Sequence, residues 1–346
     1  MKKMFALVAA SILALSVTAC GNAPDATQGS GTAEPTPAAS TGYPDKTITV
    51  VAPSGAGGGW DKTARSLSKV LAETKLIEQP MIVENKPGGG GAVFMAEYAT
   101  QDTKDNYKLF VSSPPILINN NKAEGNSPFG YKDTTPLAQL TRDYGAIVVG
   151  ADSPYQDMKS LLEAMKADPS SITVAGGSAP GSMDHLIAVL PAFKYDIDPQ
   201  AVKYVSYDGG GEAIAALLGG NADVIATDAS SVGGYLKAGK IRVLGITATE
   251  RLAGDLADIP TLQEQGVDAE FTIWRGVFGP KEMTAEVKDF WVAKLTELSQ
   301  NQAWLDELQA NAWESEFKAG DDFTAFLEEQ DQLVIELLTA LGMQKQ

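Results

Sequence analysis

Cysteine and histidine are almost absent from this chain. Its 346 residues hold one of each, Cys20 and His185. A single cysteine excludes a disulfide within the chain, and one of each excludes a Cys/His metal cluster. A Ser-His-Asp triad has only His185 to draw on, with Ser178 or Ser182 as nucleophile. His185 lies in what reads as the first turn of a helix, where a capping or packing role is the simpler reading. Positive charge is also scarce: 27 Lys and Arg stand against 44 Asp and Glu, a formal net charge of −17. That balance argues against nucleic-acid binding. It also offers no long-range pull on anions, so an anion site must rest on local donors. Beyond the N-terminus no apolar run reaches the ~18 residues that a membrane-spanning helix needs.

The N-terminus holds the one apolar stretch of note. Lys2 and Lys3 precede a mostly apolar, uncharged segment over 4–17, the length of a signal-peptide core rather than of a span. Val17-Thr18-Ala19-Cys20-Gly21 then resembles the lipobox of bacterial lipoproteins. The expectation is a signal peptide over 1–19, removed on export, and a lipidated Cys20 that tethers the chain to a membrane. Residues 20–42 are small and polar with no large apolar side chain, so they read as a flexible stalk. The body then begins at Tyr43. It lies outside the cytoplasm, facing a periplasm or the outer surface of a single-membrane cell.

The body alternates β-branched runs with amphipathic stretches. Strands are expected over 48–51, 81–83, 108–111, 146–149, 172–175, 202–205, 222–226 and 241–246, with helices between them. Two such sets argue two α/β lobes with mostly parallel sheets. Two long amphipathic helices, over 285–309 and 323–341, follow and are expected to pack back on the first lobe.

Three loops rich in glycine and small residues join strand ends to helix starts, over 54–61, 175–182 and 208–211. Ligands in open α/β sheets bind at the carboxyl ends of strands, where helix N-termini present unpaired N–H groups. Glycine lets the backbone approach a ligand closely. Sharper motifs fail on spacing. Lys62-Thr63 follows Asp61 rather than a glycine, so this is no P-loop. Trp60 stands where a dinucleotide fingerprint needs its third glycine, and Pro180 where a nucleophile elbow needs its last. The run Gly88-Gly89-Gly90-Gly91 reads as a simple turn as readily as a binding loop.

Tyr43-Pro44-Asp45-Lys46-Thr47-Ile48, Pro53 with Gly57-Gly58-Gly59-x-Asp61, and Val83-Glu84-Asn85-Lys86-Pro87-Gly88 resemble the opening of the Bug-type substrate-binding proteins of tripartite tricarboxylate transporters. The likeness continues in order through Gly181-Ser182-x-x-His185-Leu186, Val205-x-Tyr207-x-Gly209, Leu217-Leu218-Gly219-Gly220, Asp258-Ile259-Pro260-Thr261 and Trp274-Arg275-Gly276-Val277, over about 43–340. The resemblance implies a type II periplasmic-binding fold, with two α/β lobes closing on a ligand. Lobe 1 would hold 43–145 and 255–346, and lobe 2 would hold 146–254. It implies a non-enzymatic receptor with no cofactor and no metal. The ligand would be a small carboxylate, a citrate-like tricarboxylate ahead of di- and monocarboxylates, and the partners membrane permease subunits, the receptor being a monomer. Carried over residue by residue, first-lobe contacts would be Ser54, Gly55, Ala56, Gly57, Gly58, Gly59, Trp60, Asp61, Ser112 and Ser113. Second-lobe contacts would be Gly177, Ser178, Ser182 and Asp228, with Tyr207 and Trp274 walling the cleft. Many family members carry Phe-Pro-Pro where this chain has Ser54-Gly55-Ala56, and Thr in place of Trp60; the Gly-Gly-Gly-Trp-Asp form is closer to the tricarboxylate branch. A sensing lipoprotein that partners a sensor kinase, or a Ser/His hydrolase, are the alternative readings.

Overall fold

The computed structural model describes residues 42–56, 59–125, 127–207 and 209–345. The expected signal peptide, Cys20 and most of the stalk lie outside the described residues, as do Gly57 and Gly58.

One mixed sheet organises the body. Its first half is built on β1 (Ile48–Ala52), a run with four β-branched residues whose side chains are nearly all buried. β1 pairs in parallel with β2 (Met81–Asn85) and β3 (Lys108–Ser112). Between β1 and β2 runs α1 (Gly59–Glu73), which buries Trp60, Ala64, Leu67, Val70 and Leu71 at helical spacing and leaves Lys62, Arg65 and Lys69 outside. β3 is followed by α3 (Pro115–Asn121), after α2 (Ala92–Gln101) upstream. β9 (Thr272–Pro280) lies antiparallel between β3 and β4 (Thr134–Gly150), and β10 (Glu314–Ala319) pairs with β4 as well.

β4 carries the chain from one half to the other. Thr134 to Tyr144 align with β9, whereas Gly145 to Val149 align with β7 (Val224–Asp228). The second half is completed by β5 (Thr173–Gly176), parallel to both β6 (Lys203–Ser206) and β7, and by β8 (Ile241–Ile246), antiparallel to β4. Its helices are α4 (Met158–Ala167), α5 (Met183–Lys194), α6 (Gly210–Leu218) and α7 (Gly233–Lys237).

The crossing is pinned at one fully buried residue, Thr247. Its hydroxyl accepts from the Gly145 amide at 2.8 Å and donates to the Phe271 carbonyl at 2.7 Å. Its own amide donates to Gly145 O at 2.9 Å, and its carbonyl accepts from Phe271 N at 3.1 Å. Gly145 must be glycine here, because a Cβ would stand 2.5 Å from Ile187 Cγ2.

Two expectations shift. The return to the first half, expected at 255, comes later. Asp255 pairs with Lys237 at 2.8 Å, and Leu262 N donates to Ile246 O at 2.9 Å. This segment therefore stays with α7 and β8, and the chain crosses back only at Phe271–Thr272. The helix expected over 285–309 is two, α8 (Ala285–Ser299) and α9 (Gln302–Ala310), because Asn301 caps the second by accepting from Ala303 N at 2.9 Å. The last helix, α10 (Gly320–Ala340), does pack on the first half, against α3 and β4. It also reaches the second half: Lys194 approaches Glu336 at 3.7 Å, and Gln200 Nε2 donates to Ala340 O at 3.1 Å.

Candidate functional site

The carboxyl ends of β1, β3, β5, β6 and β7 come together with the middle of β9. On the first half, β1 runs into Ser54, Gly55 and Ala56, of which Gly55 and Ala56 are exposed. Asn85 ties this loop down, donating to Ser54 O at 3.1 Å and to Asp61 Oδ1 at 2.8 Å. Asp61 is buried, and its other oxygen accepts from Arg65 Nε at 3.0 Å. Its charge thus complements the N-terminal dipole of α1 and is engaged within its own wall.

Trp60 is nearly buried and donates from Nε1 to Ser113 Oγ at 2.8 Å. Ser113 is itself buried, as is Ser112, so Ser113 braces Trp60 from behind. The polyglycine run supports the same ring. Gly88 to Gly91 all have positive φ, from 56° to 146°, a region that glycine alone enters cheaply. A Cβ on Gly91 would stand 3.3 Å from the Trp60 ring, and Asn119 holds the run by donating to Gly90 O at 2.9 Å. This is a fixed conformation with a packing role, not a loose turn.

On the second half, Gly177 lies flat against the backbone of Gly209 and Gly210, where α6 begins. Its amide donates to Asp184 Oδ2 at 2.6 Å, and the Asp184 amide donates to Ser178 Oγ at 2.9 Å. Tyr204 closes the loop by donating to Ser178 O at 2.8 Å. Burial, helped by the charge of Asp228, pushes the Asp184 carboxyl up to about 7. Tyr207 follows β6, half-buried, with its amide bonded to Gly176 O at 2.9 Å. Ser182 stands at the start of α5 without a side-chain capping bond. Its neighbour Gly181 lies beside α10, where a Cβ would meet Met343 Sδ at 3.1 Å. His185 takes the packing role: it is buried against Tyr204, ring centroids 4.4 Å apart, and Nδ1 accepts from Gly181 N at 2.8 Å. Burial lowers it to about 4, so the ring is neutral at pH 7.

Between the two halves stands Arg275, from the middle of β9, only 6% exposed. Its guanidinium faces the start of α1; a Cβ on Gly59 would stand 2.7 Å from Nη2. Across from it Asp228 ends β7, with Oδ2 at 3.7 Å from Nη2. Burial raises the Asp228 carboxyl against the opposing pull of Arg275 and Lys62. Asp143, on β4, is the third acid of the group. It accepts from Tyr144 N at 2.7 Å and Ser230 Oγ at 2.6 Å, and burial followed by the charge of Asp228 pushes it up to about 7. A cavity of about 790 Å³ opens beside Asp143 and Ser230, with Leu256 on one side and Leu308 and Trp313 on the other. No group of acids or histidine among the described residues is arranged to hold a metal ion.

Trp274 corrects the expectation that it walls the cleft. It is fully buried among Phe278, Phe323 and Phe326, with centroids 5.8–6.3 Å away. Successive side chains of a strand point to opposite faces, so the residue that turns toward α1 is its neighbour Arg275. Arg275, Asp143 and Asp184 are missed by the sequence reading. For Arg275 a signal exists: it is the one charge in the apolar run Thr272-Ile273-Trp274-Arg275-Gly276-Val277-Phe278. The two aspartates carry none, being two of many acids in an acidic chain.

Comparison with known proteins agrees with this geometry. The family model described as the tripartite tricarboxylate transporter family receptor matches residues 63–343. A UPF0065 protein of Cupriavidus necator is 32% identical over 255 residues, which cover 72% of this chain and 73% of that one. A TctC solute binding protein from Polaromonas, solved with no ligand, superposes with a TM-score of 0.70 at 27% identity, covering 86% of this chain and 99% of that one. Two further structures share the fold at 21% identity. MatC from Rhodopseudomonas palustris with bound malate has a TM-score of 0.71 over 86% of this chain and all of its own. An R. palustris protein with adipate has 0.74 over 87% of this chain and 99% of its own. The two-lobed α/β fold expected from the sequence is therefore the fold observed, and the family matched is one of transporter receptors rather than enzymes. This chain belongs to the tripartite tricarboxylate transporter receptor family.

Proposed function

We propose that this protein captures a small carboxylate between its two lobes and delivers it to the membrane permease subunits of a tripartite tricarboxylate-type transporter. The observation that carries the reading is the buried Arg275 set against the start of α1, facing strand-end loops of the opposite lobe. A chain of net charge −17 draws no anion from a distance. A local cation beside the positive end of a helix supplies what the overall charge withholds. The malate and adipate bound by the two R. palustris relatives support a carboxylate as the ligand class. A citrate-like tricarboxylate is favoured by the resemblance of the Gly-Gly-Gly-Trp-Asp loop. Ser54, Gly55, Ala56, Gly57, Gly58, Gly59, Trp60 and Asp61 with Ser112 would form or back the first-lobe wall. Gly177, Ser178, Tyr207 and Asp228 would form the second. Lipidation at Cys20 would keep a monomeric receptor beside its permease while the lobes open and close.

A thermal-shift screen of mono-, di- and tricarboxylates on the mature chain tests this. A ligand at a hundred times its Kd stabilises the folded state by about 2.7 kcal/mol, a readily measured rise in Tm. No shift with any carboxylate, and a clear one with a sugar or a cation, would overturn the reading.

A further inference from the structure

Arg275 and Asp228 face each other across the lobes, and both are left incomplete. Arg275 Nε is buried with no hydrogen-bond partner among the described residues, and so is Asp228 Oδ1. The contact between them, 3.7 Å from Nη2 to Oδ2, is too long for a hydrogen bond. Buried polar groups are ordinarily satisfied, and each exception calls for an explanation. Here the two exceptions belong to side chains that approach each other from opposite halves, and their demands are opposite. The guanidinium offers Nε and Nη2 as a planar fork, the geometry that a carboxylate accepts with both oxygens. The Asp228 carboxylate offers only acceptors. It therefore repels a bare carboxylate and requires a donor. Gly59 belongs to the same arrangement, since any side chain there would push on the guanidinium at 2.7 Å.

We infer that this receptor selects carboxylates that carry a hydrogen-bond donor on the adjacent carbon, a hydroxyl or an ammonium, with Arg275 holding the carboxylate and Asp228 taking the donor. The inference rests on the carboxylate reading above and narrows it. A ligand of this kind satisfies both orphaned atoms at once and binds both lobes, so it favours closure. A plain carboxylate satisfies Arg275 but leaves Asp228 desolvated against an alkyl carbon. Ser230, which donates to Asp143 rather than to Asp228, offers no relief.

Calorimetric titration of the mature protein with matched sets tests the idea. The sets are succinate, malate and aspartate; propionate, lactate and alanine; and tricarballylate with citrate. Within the set that binds, the hydroxy or amino member is expected to bind about 10–100-fold more tightly than the plain acid, from the usual worth of a hydrogen bond to a charged group. Whether the hydroxyl or the ammonium member wins identifies the donor. Asp228→Ala should bring that ratio close to one while leaving the plain acid bound at least as well. Arg275→Gln should weaken every carboxylate in the set, and Arg275→Lys should recover part of the loss. Circular dichroism and melting of each variant separate lost binding from lost folding. Equal affinity for plain and donor-bearing acids, or a ratio unchanged by Asp228→Ala in a folded variant, overturns the selection while the carboxylate reading stands. Unaltered binding by folded Arg275→Gln removes Arg275 from the site. Failure of every acid to bind the unmodified protein overturns both.

Discussion

Gly177→Ala is the substitution whose consequence follows most directly from the geometry. The added Cβ would stand 2.2 Å from Gly210 N, 2.3 Å from Gly209 C and 2.8 Å from Gly210 Cα. Ordinary carbon contacts lie at about 3.5–4.0 Å, so the loops after β5 and β6 must part by more than about 1 Å. The obstacle is backbone on both sides, and no rotamer change relieves it. Overpacking of this kind costs about 1–3 kcal/mol, and the upper end applies where backbone must move. A melting temperature lower by about 3–5 °C follows for a body of this size. The start of α6 and the Gly177 amide are displaced together, so ligand-dependent stabilisation should disappear as well. Gly209→Ala is the matched control. A Cβ at Gly209 meets no heavy atom within 4 Å, and its φ of 173° is extended backbone open to any residue. Its stability should match the parent to within about 0.5 kcal/mol. Differential scanning fluorimetry with and without a bound carboxylate reads both variants. The reasoning is refuted if Gly177→Ala melts and binds like the parent, or if Gly209→Ala is as damaging as Gly177→Ala.

Further expectations follow from other residues. Asp184 has its carboxyl raised to about 7 by burial, so the folded state holds a proton that the unfolded state has lost between pH 4 and 7. Its contribution to stability therefore falls as pH rises through that window. Asp184→Asn should gain on the parent by about 2–3 kcal/mol between pH 5 and 8, and a difference in Tm that stays flat across that range refutes the burial argument. His185, lowered to about 4, titrates alike in both proteins and cancels from the comparison. Thr247→Val removes a hydroxyl that serves both Gly145 N and Phe271 O, leaving two buried backbone groups unmet. Urea denaturation should show a loss of about 2–4 kcal/mol, restored largely by Thr247→Ser; equal stability of the valine variant would show that the crossing is not pinned there. Trp60→Phe deprives Ser113 Oγ of its donor while keeping an aromatic ring against Gly91. A loss near 1 kcal/mol is expected, and tryptophan fluorescence with chemical denaturation would reveal a larger one.

Much of the architecture can be read locally. Ile48-Thr49-Val50-Val51 and Lys108-Leu109-Phe110-Val111 form β1 and β3 where their apolar runs lie. The spacing of Ala64, Leu67 and Leu71 announces α1. Strands that pair with each other across the whole molecule are less visible. Thr134 to Tyr144 mixes polar and apolar residues, Pro136 and Arg142 among them, yet it forms the longer arm of β4. That segment is a strand because β9 and β10 satisfy its backbone on both edges, a circumstance no local pattern records. β10, with Glu314, Glu316 and Lys318, is hidden for the same reason.

The amino-acid sequence by itself determined the family, the alternation of strands and helices, and the glycine loops at the strand ends. These are properties of neighbouring residues or of order along the chain. Which side chains face the gap between lobes was decided by tertiary structure alone. The adjacent pair Trp274 and Arg275 shows why: one strand sends the aromatic into a buried cluster with Phe323 and the cation toward Gly59 and Asp228. Facing is a matter of register between β9 and its neighbours, and register is set by pairings more than a hundred residues apart in sequence. The same holds for Asp228 and Asp184, ordinary acids in an acidic chain until folding buries Asp184 and sets Asp228 opposite an arginine.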